Sequence, residues 1–172
     1  MTQELADLKT SIIEGRYQDA LAIVDELEGM SKKAILRNIQ SFLKILMIHF
    51  IKNQVQQRLT NSWAASIQNS LEEINSLNRK DNKTSYYINA GEWQPFLEEA
   101  IEAAIRPASL EIYNKPINRA KFAAELDQNQ LIAIASRFLE LTYSYTAKDL
   151  PAIIDEQLSQ LPGGEDWNQD DD

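Results

Sequence analysis

The chain has 172 residues, 44% hydrophobic and 25% charged, with a net charge of −9, the proportions of one ordinary folded domain with a sizeable core. No cysteine, one histidine and five scattered glycines exclude disulfides, thiolate nucleophiles, cysteine-held metals and the glycine-rich loops that cradle phosphates. A lone imidazole also falls short of the two or three that most catalytic metal sites use, so the residues name no catalytic group, no metal and no cofactor.

The N-terminal segment carries Glu4 and Asp7 and lacks the basic and apolar regions of a secretory signal. The longest apolar run, Ile45 to Ile51, is interrupted by His49 and flanked by Lys44 and Lys52, far short of the ~20 residues that span a bilayer. A cytoplasmic protein without a membrane association is therefore expected.

Leu5, Leu8, Ile12 and Ile13 fall at helical spacing up to Gly15, and Tyr17, Leu21, Val24 and Leu27 form a second stripe up to Gly29. Their periodicity predicts a helical hairpin. Its turn, Gly15 to Leu21, is like that of a tetratricopeptide unit, but no second copy follows, and stable arrays need about three. Ser31 suits the cap of a third helix running to about Gln54, amphipathic at first and apolar on all sides from Ile45 to Ile51, which predicts the enclosed centre of the fold. Asn53 to Thr60 reads as a connection. Asn61 or Ser62 then opens a fourth helix with the stripe Trp63, Ile67, Leu71, Ile74 and Leu77.

Asn78 to Ser85 is polar and basic and reads as a mobile surface loop. Pro95 suits the first turn of a fifth helix, and Pro107 predicts a kink or break within it. A turn at Asn114 to Asn118, a short helix from Ala120 to Leu126, a longer one from Asp127 and a last one from near Asp149 to Leu161 complete the pattern. No segment alternates at period two for long enough to argue a sheet. The fold class is all-α: a single irregular bundle of about six to seven helices around a central apolar helix. Residues 1–161 form its one domain, and 162–172 a flexible acidic tail.

The net charge conceals a division along the chain. Residues 1–30 sum to −5, residues 31–91 to +6, residues 92–161 to −5 and the tail to −5. A basic middle held between acidic ends is the economical reading, and a protein partner with an acidic surface is the next. Tyr86 and Tyr87 beside Arg79, Lys80 and Lys83 also suit a nucleic acid, whose phosphates seek cations and whose bases stack on aromatics. The acidic pI of about 4.7 disfavours that partner. Trp167, flanked by acids, is a candidate docking anchor, with a solvated tail as the simpler reading.

Ile48-His49-Phe50-Ile51-Lys52, then Arg58, Thr60, Ser62 and Trp63 with Ser66-Ile67, then Tyr86-Tyr87-Ile88, then Ala108-Ser109-Leu110-Glu111 follow one another in an ordered pattern. In order and spacing they resemble the domain of unknown function 29 family, in its longer, cyanobacterial-type form, over roughly residues 5–145. The resemblance implies an all-helical fold and no assigned activity. It marks His49, Lys52, Arg58, Ser62, Trp63, Tyr86 and Tyr87 as family-pattern positions. The chain departs from the pattern at Gln57, Asn61 and Asp81, where relatives tend to be basic, and at Pro107, where an arginine commonly stands.

His49 could act as a general base, but no acid occupies the neighbouring helical positions Ile45, Leu46, Phe50 or Asn53, so a buried, hydrogen-bonded structural role is favoured. A di-metal bundle would need Glu three residues before it, where Leu46 stands. Glu98, Glu99 and Glu102 follow Pro95 and complement a helix N-terminus. Ser62 reads as a cap before a core aromatic, since no second histidine exists to activate it. The composite expectation is a non-catalytic protein–protein interaction or assembly module with a protein partner or a second copy of itself. A nucleic-acid-associated regulator using residues 31–91 and an enzyme of unrecognised type are the alternatives.

Overall fold

The computed structural model describes residues 2–81 and 84–168. Among them are seven α-helices: α1 (Thr2–Ile13), α2 (Tyr17–Gln56), α3 (Asn61–Asn78), α4 (Gln94–Tyr113), α5 (Arg119–Glu125), α6 (Gln128–Ser144) and α7 (Leu150–Leu158), with a 3-10 turn at Glu165–Asn168. The expected all-α helical bundle is what forms. The chain divides into two compact units, Met1–Asn38 and Ile39–Asp172.

The first unit is a helical pair. Gly15, at φ +72°, takes the left-handed conformation that ends α1, and the Arg16 backbone N–H donates to the Ser11 carbonyl at 2.8 Å. The Arg16 side chain donates to Glu14 at 2.8 Å and to Asp19 at 2.9 Å across the turn. Small residues fill its interior, since Ser11 and Ala20 are its buried side chains among the described residues. The expected stop at Gly29 and the cap at Ser31 do not occur, because α2 runs through both. One helical glycine costs only about 1 kcal/mol relative to alanine, and no proline enforces a break.

The second unit carries the core. Ile39, Leu43, Leu46, Met47, Phe50 and Ile51 of α2 are each at most 1% exposed, a stripe at helical spacing. Enclosure is incomplete, contrary to the all-round apolar pattern, since Ile45 stays 38% exposed. By length and composition α2 could cross a bilayer, with a mean hydropathy of 1.3 over an 18-residue window, a third of it buried; the core helix of a bundle has the same composition. Phe50 meets Phe138 of α6 with ring centroids 5.3 Å apart. Around this stripe α3 packs on α6 and α7, α4 on α5 and α6, and α6 on α7.

The helix ends follow local chemistry. Thr60, Asn118 and Asp127 cap α3, α5 and α6, their side chains accepting from the backbone N–H three residues on. The cap of α3 is therefore Thr60, and neither Asn61 nor Ser62 serves. Asn114 at φ 55° closes α4, its N–H donating to the Leu110 carbonyl at 2.8 Å. Pro107 does not break α4. It removes one backbone donor, and the buried Ala104, Ile105 and Ala108 on either side hold the helix in place.

Asn53 was expected in a connection, yet it lies inside α2 and is 2% exposed. Its Nδ2 donates to the Arg58 carbonyl and to the Pro162 carbonyl, each at 2.9 Å. Beyond α7, Gly163 at φ +75° crosses closely over the Arg58 backbone. Gly164 is buried. Of the expected flexible tail, Pro162, Gly163 and Gly164 carry these contacts, and 169–172 lie outside the described residues.

A side chain at Gly164 would collide with the carbonyl oxygens of Leu158 and Leu161, whereas one at Gly29 would meet nothing within 4 Å. Thermal melts followed by circular dichroism should separate the two: Gly164→Ala is expected to destabilise the protein by ~1–3 kcal/mol, and Gly29→Ala to stabilise its helix by up to ~1 kcal/mol.

Candidate functional site

The second half of α2 presents His49 and Lys52 one turn apart on one face, the connection supplies Arg58, α3 opens with Trp63, and α4 brings Glu111. These residues converge. The Lys52 ammonium lies 4.4 Å from the centre of the Trp63 ring and donates to Glu111 Oε2 at 2.7 Å. The Arg58 guanidinium lies 4.9 Å from the same ring, and the His49 and Trp63 ring centroids are 6.5 Å apart. Trp63 is 7% exposed and Lys52 8%, so the indole face meets the ammonium largely away from water, where such attraction strengthens; Arg58 is exposed.

His49 is half-buried, and its Nδ1 has no hydrogen-bond partner among the described residues. The expected buried, hydrogen-bonded histidine is thus only partly enclosed and lacks a bond at that nitrogen. Burial lowers its basicity first, the Lys52 charge lowers it further, and Glu111 opposes both. Chemically the arrangement joins three helices through one ammonium, and beside it keeps an imidazole with an unengaged nitrogen.

Ser62 lies next to Trp63 in sequence but faces solvent. Tyr86 and Tyr87 belong to a second cluster. There the Tyr143 hydroxyl accepts from Trp93 Nε1 at 2.8 Å and from Asn78 Nδ2 at 3.1 Å, and donates to the Ile88 carbonyl at 2.6 Å. Burial, partly offset by its two donors, pushes the Tyr143 phenol up to about 12. Asn78 completes the cluster: its Oδ1 accepts from the Ile88 N–H at 2.7 Å, and its Nδ2 donates to the Ile88 carbonyl at 2.8 Å.

The stretch expected to be a mobile loop is therefore anchored at Asn78, which is 1% exposed, and bridged between Arg79 and Tyr86. Lys83 lies outside the described residues. Arg79 sits 6.0 Å from the Tyr86 ring centre and Lys80 5.4 Å from that of Tyr87, while Tyr86 packs edge-on to Tyr143 at 4.6 Å. These rings meet the protein's own groups. Trp167 is half-buried in the 3-10 turn, its N–H donating to the Gly164 carbonyl at 3.1 Å.

Sequence reasoning missed Asn78, which reads as loop, and Tyr143, which belongs to none of the motifs the sequence offers. It also named Glu111 as part of a motif without seeing it as the partner of Lys52.

A family model described as domain of unknown function DUF29 matches residues 3–139. The chain belongs to the DUF29 family. No curated protein and no solved structure matches it. The DUF29 match contains every member of the Trp63 cluster and, apart from Tyr143, every member of the second.

Two outcomes follow from the charges around His49. In an NMR titration Lys52→Met should raise the His49 pKa, by removing a like charge, and Glu111→Gln should lower it. With a lowered folded pKa, the unfolded chain binds more protons below its own pKa of ~6.5. The stabilising contribution is complete above that pH and is lost as pH falls below it. Urea midpoints at pH 8 and pH 5 should therefore differ more in the wild type than in His49→Gln.

Proposed function

We propose that this protein is a non-catalytic protein–protein interaction module whose docking element is the helical pair of residues 1–38. The observation that carries this reading is a face without a covering. Leu5 (51% exposed), Ile12 (52%), Ile13 (75%), Tyr17 (67%), Leu21 (63%) and Met30 (44%) account for six of the ten exposed large apolar side chains among the described residues. Leu5 and Ile12 share one face of α1, with half-buried Leu8 between them, and Tyr17 and Leu21 share one face of α2. Scattered apolar side chains are ordinary on a surface, but this many on a pair with only two small buried residues among the described ones supports a binding face.

Charge narrows the partner. Residues 1–30 sum to −5, so this face repels another copy of itself and suits a partner whose apolar groove is rimmed by lysine and arginine. The Lys52–Trp63–Glu111 arrangement supports a structural part for the family-pattern residues. Its cation is engaged by a carboxylate and a ring face.

Tyr17→Glu combined with Leu21→Glu places charge on the face without touching a buried position. Affinity purification from the native host should recover a stoichiometric partner with the wild type and lose it by at least about tenfold with the variant, both chains showing the same circular dichroism. A partner retained by the variant, or a wild type recovered alone at native concentration, overturns the reading. A dimer broken by the variant keeps assembly and replaces the heterologous partner with a second copy.

A further inference from the structure

A cleft of about 600 Å³ opens where the C-terminal half of α3 and the residues after it meet the junction of α6 and α7. Glu72, Asn75, Arg79, Lys80 and Asp81 line its polar side, with Ala147 and Leu150 on the apolar side. Its size is that of a small-molecule site. Two side chains in its wall carry buried polar atoms with no partner among the described residues: Asn75 Oδ1 and Arg79 Nε.

These two atoms define what is missing. Asn75 is 7% exposed, and folded proteins leave few buried polar atoms unsatisfied, least of all two on neighbouring side chains. Asn75 and Arg79 stand four residues apart at the end of α3 and so lie along one helix face. Arg79 needs an acceptor; Asn75 Oδ1 needs a donor. The protein's own carboxylates do not fill the first need. Glu72 and Asp81 line the same cleft, yet neither pairs with Arg79 within ion-pair distance among the described residues, and Glu72 accepts instead from Gln68 Nε2 at 3.5 Å. Arg79's other neighbour is the Tyr86 ring, which leaves the fork of the guanidinium for a planar anion.

Two cations and two carboxylates line the cleft, so a simple anion meets repulsion as well as attraction. A ligand bearing both charges meets only attraction when each end finds its opposite. We propose that this cleft binds a free α-amino acid with an apolar side chain. Its carboxylate lies on the Arg79 fork beside Lys80, its ammonium donates to Asn75 Oδ1 and faces Glu72, and its side chain rests on Ala147 and Leu150. Both unpartnered atoms are buried, so binding requires the two side chains to turn outward into the cleft when the amino acid enters. The site is independent of the docking face of residues 1–38.

Isothermal titration of the full chain with L-leucine tests this, alongside N-acetyl-L-leucine, which lacks the ammonium, L-leucinamide, which lacks the carboxylate, and inorganic phosphate. Saturable binding of L-leucine is expected, with each of the other three at least about tenfold weaker. Arg79→Met and Asn75→Leu should each weaken L-leucine by at least about tenfold while melting with an unchanged helical signal. If either fails to fold, Arg79→Lys, which keeps the charge and loses the fork, should weaken binding in the same direction. Failure of L-leucine, L-valine and L-methionine to bind at about 10 mM overturns the proposal. Equal binding of N-acetyl-L-leucine or L-leucinamide overturns it as well, reducing the site to one that reads a peptide's C-terminus or N-terminus. Phosphate binding as tightly as L-leucine overturns it in favour of an anion site, and L-leucine binding that survives Arg79→Met overturns it outright.

Discussion

One ammonium group sets the relation of three helices. Lys52 leaves α2 from a largely buried position, crosses the face of Trp63 at the start of α3 and ends on Glu111 of α4. A buried cation is tolerated only where its lost hydration is replaced, and here an indole face and a carboxylate replace it together. The requirement is directional. If α3 or α4 shifted along α2 by one turn, about 5.4 Å, the ammonium would lose one of the two.

Much of this was legible in the sequence. Helix ends were readable where a polar side chain serves its own backbone, as at Asp127, and where a single residue restricts conformation, as at Gly15 and Pro95. The residues of the Trp63 cluster were marked in advance, though only as an ordered pattern. Their meeting depends on Glu111 reaching Lys52 from 59 positions away, and no local rule contains that distance. Errors gathered where tertiary packing overrides local preference. Gly29 and Pro107 both sit inside continuous helices: the glycine costs only about 1 kcal/mol relative to alanine, and the larger cost of the proline is offset by the buried Ala104, Ile105 and Ala108 around it. Asn78 read as loop because asparagine favours turns, and its real role, holding both backbone groups of Ile88, shows only when the chain has folded back on itself.

The two units differ in what holds them. Residues 39–168 surround a dry apolar stripe and buried hydrogen-bond clusters, whereas residues 1–38 rest on turn chemistry and two small buried side chains. Helices that bury little depend on intrinsic propensity and neighbouring contacts. The first unit therefore has the lower local stability and gains the most from being covered, while the second has a buried core of its own.

Asn53 places a constraint on when that body can close. Its carboxamide is buried in α2 and binds the carbonyl of Pro162, 109 positions further along the chain. During synthesis at roughly 5–20 residues per second, that acceptor follows Asn53 by about 5–20 s. Throughout the interval the apolar half of α2 is present while part of what satisfies its end is not. A nascent chain in this state carries a strongly apolar helix with an open polar end, and that end is satisfied only when a short segment far along the chain has emerged.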